Sequence, residues 1–65
     1  MLKIPRFMEE YANYMKKELS GNPLLNKHVK VNWIAGIDEA LALYERGLIT
    51  VWEAMSKIGT NRYYG

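Results

Sequence analysis

The chain has 65 residues and no cysteine, and its nine Lys and Arg against seven Asp and Glu give a net charge of +2. Its composition, 49% hydrophobic and 25% charged, is that of a folded domain and not of a disordered tail. The charge is too small for the dense basic surface typical of nucleic-acid binding proteins and excludes a strongly acidic DNA mimic. A chain this short buries about 12–15 side chains, so we expect self-association or a partner to add to its stability.

The sequence carries no sign of export or membrane insertion. No apolar run approaches the roughly 20 residues of a membrane span, and the first residues do not lead into a signal-peptide core. The absence of cysteine fits a reducing compartment. We therefore expect a soluble, cytoplasmic protein with no membrane partner, and we interpret Met1 as the start of a complete small reading frame.

The first part of the chain predicts a helix over residues 5–20. Pro5 suits the first helical position, and Gly21 followed by Asn22-Pro23 favours an end there. Apolar residues recur at intervals of three and four and form one stripe, which we assign to the core: Ile4, Phe7, Met8, Tyr11, Ala12, Met15 and Leu19.

Residues 22–31 give a weaker pattern. Their apolar side chains fit either a loop that fills part of the core or a short helical turn, and we place His28 in a basic loop between Lys27 and Lys30. A second helix is predicted over 32–46, with Asn32 as its N-cap. Gly36 indicates either a close approach of another helix or a helix that begins nearer Ile37.

The junction before the third helix has the clearest local signals. Gly47 fits a left-handed helix end with Leu48 against Leu43, as in a Schellman motif. Thr50 and Glu53 have capping-box spacing and predict a helix over 51–58. The fold prediction is therefore all-α: one small three-helix domain over residues 1–65. Its last two helices form an αα-hairpin against the first, and 59–65 form a tail.

The sequence lacks the patterns of an enzyme. Its one His, one Asp and two Ser do not have triad spacing, and neighbouring carboxylates on a helix point about 100° apart. With a single His and no Cys, transition metals have almost no ligands. We expect a non-enzymatic protein with no metal and no cofactor.

The aromatic content indicates a contact surface, because five Tyr, two Trp and one Phe are many for this length. Trp, Tyr and Arg are enriched at binding hot spots. An alternative is that the tail folds back as a lid on the core. The predicted partner-binding residues are Trp52, Arg62, Tyr63 and Tyr64, with Trp33 and Tyr14 as extensions.

The run from Ile49 to Thr60 resembles the opening helix of excisionase-like and MerR-like DNA-binding domains. That resemblance implies a following helix in the major groove, yet only residues 61–65 follow here. A minimal DNA-binding or transcription-modulating protein is therefore the alternative function. Its candidate contacts are Arg62, Tyr63, Tyr64, Lys27 and Lys30.

The chain also resembles small helical proteins encoded by Gram-positive phages and prophages. The resemblance lies in the Phe7-Met8-Glu9-Glu10-Tyr11 segment and in residues 42–50. It implies a non-enzymatic early protein that binds and redirects a host protein. The predicted function is thus a small protein-interaction module, a steric inhibitor or adaptor, whose partner is a host protein or a second copy of itself.

Overall fold

A computed structural model describes residues 1–59 as three helices, α1 (Arg6–Gly21), α2 (Lys27–Glu45) and α3 (Val51–Gly59). Within these residues there is no strand. The predicted all-α class and three-helix count are confirmed. The predicted tail lies outside the described residues, except for Gly59, which is the last residue of α3.

Helix α1 ends where the chain meets a proline. Pro5 is the N-cap rather than the first helical residue, and its carbonyl accepts the N–H groups of Met8 and Glu9, both at 3.1 Å. At the other end Asn22 is extended, with ψ 112°. A residue before proline is excluded from the helical region by the proline ring, so Pro23 fixes this end.

Helix α2 begins five residues earlier than predicted, so the assignment of Asn32 as its N-cap is wrong. Asn26 is the N-cap, and its Oδ1 accepts the Val29 N–H at 2.8 Å. Asparagine is an equally good cap at either position, and the earlier one also brings Leu25 against the core. Gly36 therefore lies inside the helix, and the predicted basic loop is its first turn.

The end of α2 confirms the predicted Schellman motif. Gly47 has φ +73°, the Leu48 N–H donates to the Leu43 carbonyl at 3.0 Å, and the Gly47 N–H donates to the Tyr44 carbonyl at 2.9 Å. The Glu45 carbonyl accepts the Leu2 N–H at 2.7 Å, so the first residues of the chain complete this helix end.

The capping box of α3 is also confirmed. Glu53 Oε1 accepts the Thr50 N–H at 2.8 Å, and Thr50 Oγ1 accepts the Glu53 N–H at 3.2 Å. Helices α2 and α3 pack against each other, and both contact α1. The antiparallel arrangement of an αα-hairpin stays a prediction.

In residues 1–59 the core is one cluster of seven buried hydrophobic side chains, three of them alanines. Every helix contributes, and partly buried residues such as Tyr11 and Tyr44 pack around the cluster. Phe7 is predicted to lie in the core, but its side chain is 53% exposed. It lies at the edge of the apolar stripe of α1, whereas Met8 lies at the centre of that stripe and is buried. The seven are Met8, Ala12, Leu19, Ile37, Ala40, Ala54 and Ile58.

Two polar contacts join α1 to α2. Lys30 Nζ donates to the Ser20 carbonyl at 3.3 Å, and Lys16 forms an ion pair with Asp38. The last turn of α1 contains no basic residue of its own. Lys30 therefore supplies, from α2, the cation that the negative end of α1 favours.

Candidate interaction surfaces

Trp52 is the most exposed aromatic side chain in the described part of the chain, with 84% of its surface accessible. It is the second residue of α3 and lies on the side opposite to the buried Ala54 and Ile58. Its helix begins at the capping box, directly after the Schellman motif. Two hydrogen-bonded motifs thus hold the backbone that carries this side chain.

Two other exposed apolar side chains lie near the same end of the molecule. Leu2 Cδ1 would lie 3.8 Å from a Cβ placed on Gly47, and Leu48 follows directly. Trp52 lies four positions after Leu48 in the chain, so their Cα atoms are at most about 14 Å apart. We call the group formed by Leu2, Leu48 and Trp52 the junction surface.

Trp33 has a different environment from Trp52. It is half-buried in α2 and packs against the core cluster. It lies twelve residues before the end of α2, about 18 Å along the helix axis. Trp33, the predicted extension of the aromatic surface, therefore also contributes to the packing of the core.

The other predicted contacts, Arg62, Tyr63 and Tyr64, lie outside the described residues, so the choice between a lid and a contact surface stays open. Of the candidate DNA contacts, Lys27 is exposed at the start of α2, and Lys30 is half-buried with its ammonium group against α1.

Sequence reasoning missed an exposed group at the start of α2. The side chain of Leu24 is 90% exposed and that of Val31 is 56% exposed, so neither fills the core as one interpretation of residues 22–31 predicts. Lys27 and His28 lie between them in the sequence and are also exposed. Asn26 could have indicated this arrangement from the sequence, because asparagine is a good N-cap. A helix that begins after Asn26 carries Lys27, His28 and Val31 on its outer side. We call Leu24, Lys27, His28 and Val31 the α2-start surface.

Helix α1 also exposes aromatic side chains. Phe7 and Tyr14 are seven residues apart, which places them on one side of the helix, and both are more than half exposed. A hydrogen bond to the Glu18 carboxylate, together with the negative charge of Glu18, raises the pKa of Tyr14.

No group of three or more His, Asp or Glu side chains in residues 1–59 could hold a metal ion. In the same part of the chain, no helix has the length and apolar character needed to cross a membrane.

The comparisons with known proteins return no match: no family model, no curated protein and no solved structure is similar to this chain.

Proposed function

We propose that the protein is a small interaction module that binds another protein through the junction surface, as an inhibitor or adaptor of the kind encoded by phages. The observation that carries this proposal is the exposure of Trp52 on a helix whose start is fixed by two capping motifs. Exposing a tryptophan costs solvation free energy, and partner binding recovers it.

Preorganisation makes such a side chain an effective anchor. Binding is weakened when a loop or side chain must become ordered at the interface, and a fixed backbone removes part of that cost. Leu2 and Leu48 expose further apolar surface at the same end of the molecule. Aromatic anchors with apolar neighbours are typical of binding hot spots. The proposed mechanism is steric, because a rigid patch covers a site on the partner.

Substitution of Trp52 tests the proposal directly. We expect Trp52→Ala to abolish capture of a dominant partner in a tagged pull-down from a bacterial lysate. Because the side chain is 84% exposed, its loss should change the free energy of unfolding by no more than about 0.5 kcal/mol. Circular dichroism and urea unfolding check that the variant remains folded.

Tyr14→Ala is the matched control, because it removes an exposed aromatic side chain from α1. Capture that survives nuclease treatment, is kept by Tyr14→Ala and is lost in Trp52→Ala supports the proposal. Equal capture by Trp52→Ala and the unmodified protein would contradict it. Sedimentation of the purified protein separates a second copy of the chain from a host protein as the partner.

The alternative function, a minimal DNA-binding protein, predicts a different result in the same experiment. Capture would disappear with nuclease and would fall steeply with salt, because phosphate contacts release counterions. The exposed Lys27 at the start of α2 is the described residue that favours this alternative.

A further inference from the structure

The α2-start surface combines exposed apolar and basic side chains on a fixed backbone. Lys27 and Val31 are four residues apart and His28 and Val31 three, so these side chains are neighbours on the outer side of α2. The Asn22 Oδ1 accepts the Leu24 N–H at 2.9 Å, which fixes the turn that carries Leu24. Leu24 is thus held in the solvent, at the start of the same helix.

The sequence of this region is basic. No acidic residue occurs between Glu18 and Asp38, a stretch that contains Lys27 and Lys30. Of the two carboxylates that flank the stretch, Asp38 forms an ion pair with Lys16. Lys27 forms no ion pair with any residue of the described part of the chain.

We propose that the α2-start surface is a second docking site, which binds an acidic and partly apolar segment of a partner protein. Leu24 and Val31 supply the apolar contacts and exclude water. Lys27 supplies a charged donor and His28 an imidazole N–H donor for carboxylates. The charge-assisted bonds of the lysine are stronger in a partly dehydrated contact. The exposed leucine favours a protein segment over a nucleic acid, whose phosphates offer no apolar contact to Leu24.

The position of this surface adds a geometric consequence. Helix α2 has 19 residues, a length of about 28 Å, and the junction surface lies at its other end. One rigid helix therefore separates two surfaces of different chemistry, one aromatic and one basic. This arrangement suits an adaptor that holds two segments apart and is not needed for an inhibitor that covers one site.

The test is a titration of the ¹⁵N-labelled full chain with a 16-residue peptide of Glu and Leu at helical spacing, followed by amide chemical shifts at low salt. We expect the largest shifts over residues 24–31. Lys27→Glu is expected to weaken binding roughly tenfold, and Leu24→Ala about fivefold. A peptide with Lys in place of Glu is expected not to bind.

Lys57→Glu is the matched control, since it changes the net charge by the same amount on the exposed side of α3. An equal loss of affinity in Lys57→Glu and Lys27→Glu would reduce the effect to overall charge and overturn the proposal. So would shifts that fall mainly outside residues 24–31. A 12-base-pair DNA duplex serves as the competing probe. If the protein binds DNA more tightly than the peptide, and if Leu24→Ala does not change the affinity for DNA, the surface is assigned to nucleic acid instead.

The proposed docking site and the proposed function of the junction surface are tested independently. Trp52→Ala is expected to bind the acidic peptide normally, because Trp52 lies at the other end of α2. Loss of peptide binding in Trp52→Ala would show that the two surfaces are not separate sites and would overturn the assignment.

Discussion

Tyr11 and Gly59 meet where α1 contacts the end of α3. A Cβ placed on Gly59 would overlap the Tyr11 hydroxyl oxygen, whereas the nearest ring carbon, Cζ, would remain at 3.4 Å, an ordinary contact. The hydroxyl group alone therefore selects glycine at this position. This contact could not be predicted from the sequence, because it joins residues 48 positions apart in the chain.

We expect Gly59→Ala to destabilise the protein, because a half-buried Tyr11 has limited room to move its hydroxyl. Tyr11→Phe should restore stability in the Gly59→Ala background. A double-mutant cycle in urea unfolding is expected to give a coupling free energy of about 0.5 kcal/mol or more. Additive effects of the two substitutions would contradict this contact.

Tyr14 gives a prediction for alkaline pH. The hydrogen bond to Glu18 and the charge of Glu18 both favour the neutral phenol, so the pKa of Tyr14 is raised above its usual value. The stabilisation from this contact is present below the unfolded-state pKa and is lost as the pH rises through the folded-state pKa. Glu18→Ala should lower the Tyr14 midpoint in a ¹³C NMR titration of the tyrosine Cζ atoms, and Glu18→Gln should lower it less. Identical midpoints in all three proteins would exclude the contact.

The two ends of α2 show how far sequence reasoning reaches at the scale of an element. The turn after α2 was predicted residue by residue, because a glycine and a capping box each have one favourable geometry. Its start was misplaced, because asparagine occurs at both 26 and 32 and either one caps a helix equally well. The structure uses Asn26, and Leu25 next to it packs against the core, a contact that the local sequence does not reveal.

The first turn of α2 has a charge that its helix dipole disfavours. It contains no acidic residue, and Lys27 and His28 lie at the positive end of the helix. We therefore expect Lys27→Glu to stabilise the protein by about 0.3–1 kcal/mol. Urea unfolding at low and high salt checks the gain, which should shrink as salt screens the dipole. No gain at low salt would contradict the prediction.

That substitution separates binding from stability. If Lys27→Glu stabilises the helix and weakens binding of the acidic peptide, the loss of binding cannot come from unfolding. The lysine at position 27 would then destabilise its own helix while it contributes to binding, which is expected at functional positions.

In residues 1–59 the core contains seven buried hydrophobic side chains, so each of them matters for the stability of the whole molecule. A folded chain of this length has a free energy of unfolding of about 3–10 kcal/mol, and truncation of one buried isoleucine to alanine costs about 2–5 kcal/mol. We expect Ile37→Ala to remove most of the stability, as measured by circular dichroism in urea. Val31→Ala, a β-branched and exposed position on the same helix, is the control and should change it by no more than about 0.5 kcal/mol. Similar effects of the two substitutions would contradict the assignment of the core.

Sequence reasoning predicted the helix number and the exposed position of Trp52 in α3, because both follow from local periodicity. It placed Phe7 in the core and did not identify the α2-start surface. Periodicity shows which residues share a side of a helix, but not where the neighbouring helices stop covering it. A small domain has much surface for its volume, so several apolar side chains at the margin of a stripe remain in solvent.

The two tryptophans occupy environments that differ in polarity, and this gives the molecule two separate optical reporters. Trp33, half-buried against the core, should emit at shorter wavelength than the exposed Trp52. Replacing Trp52 with phenylalanine leaves an emission that follows unfolding alone. Replacing Trp33 leaves the emission of Trp52, which follows the occupancy of the junction surface. Unfolding and binding are thus observed separately, without an attached dye.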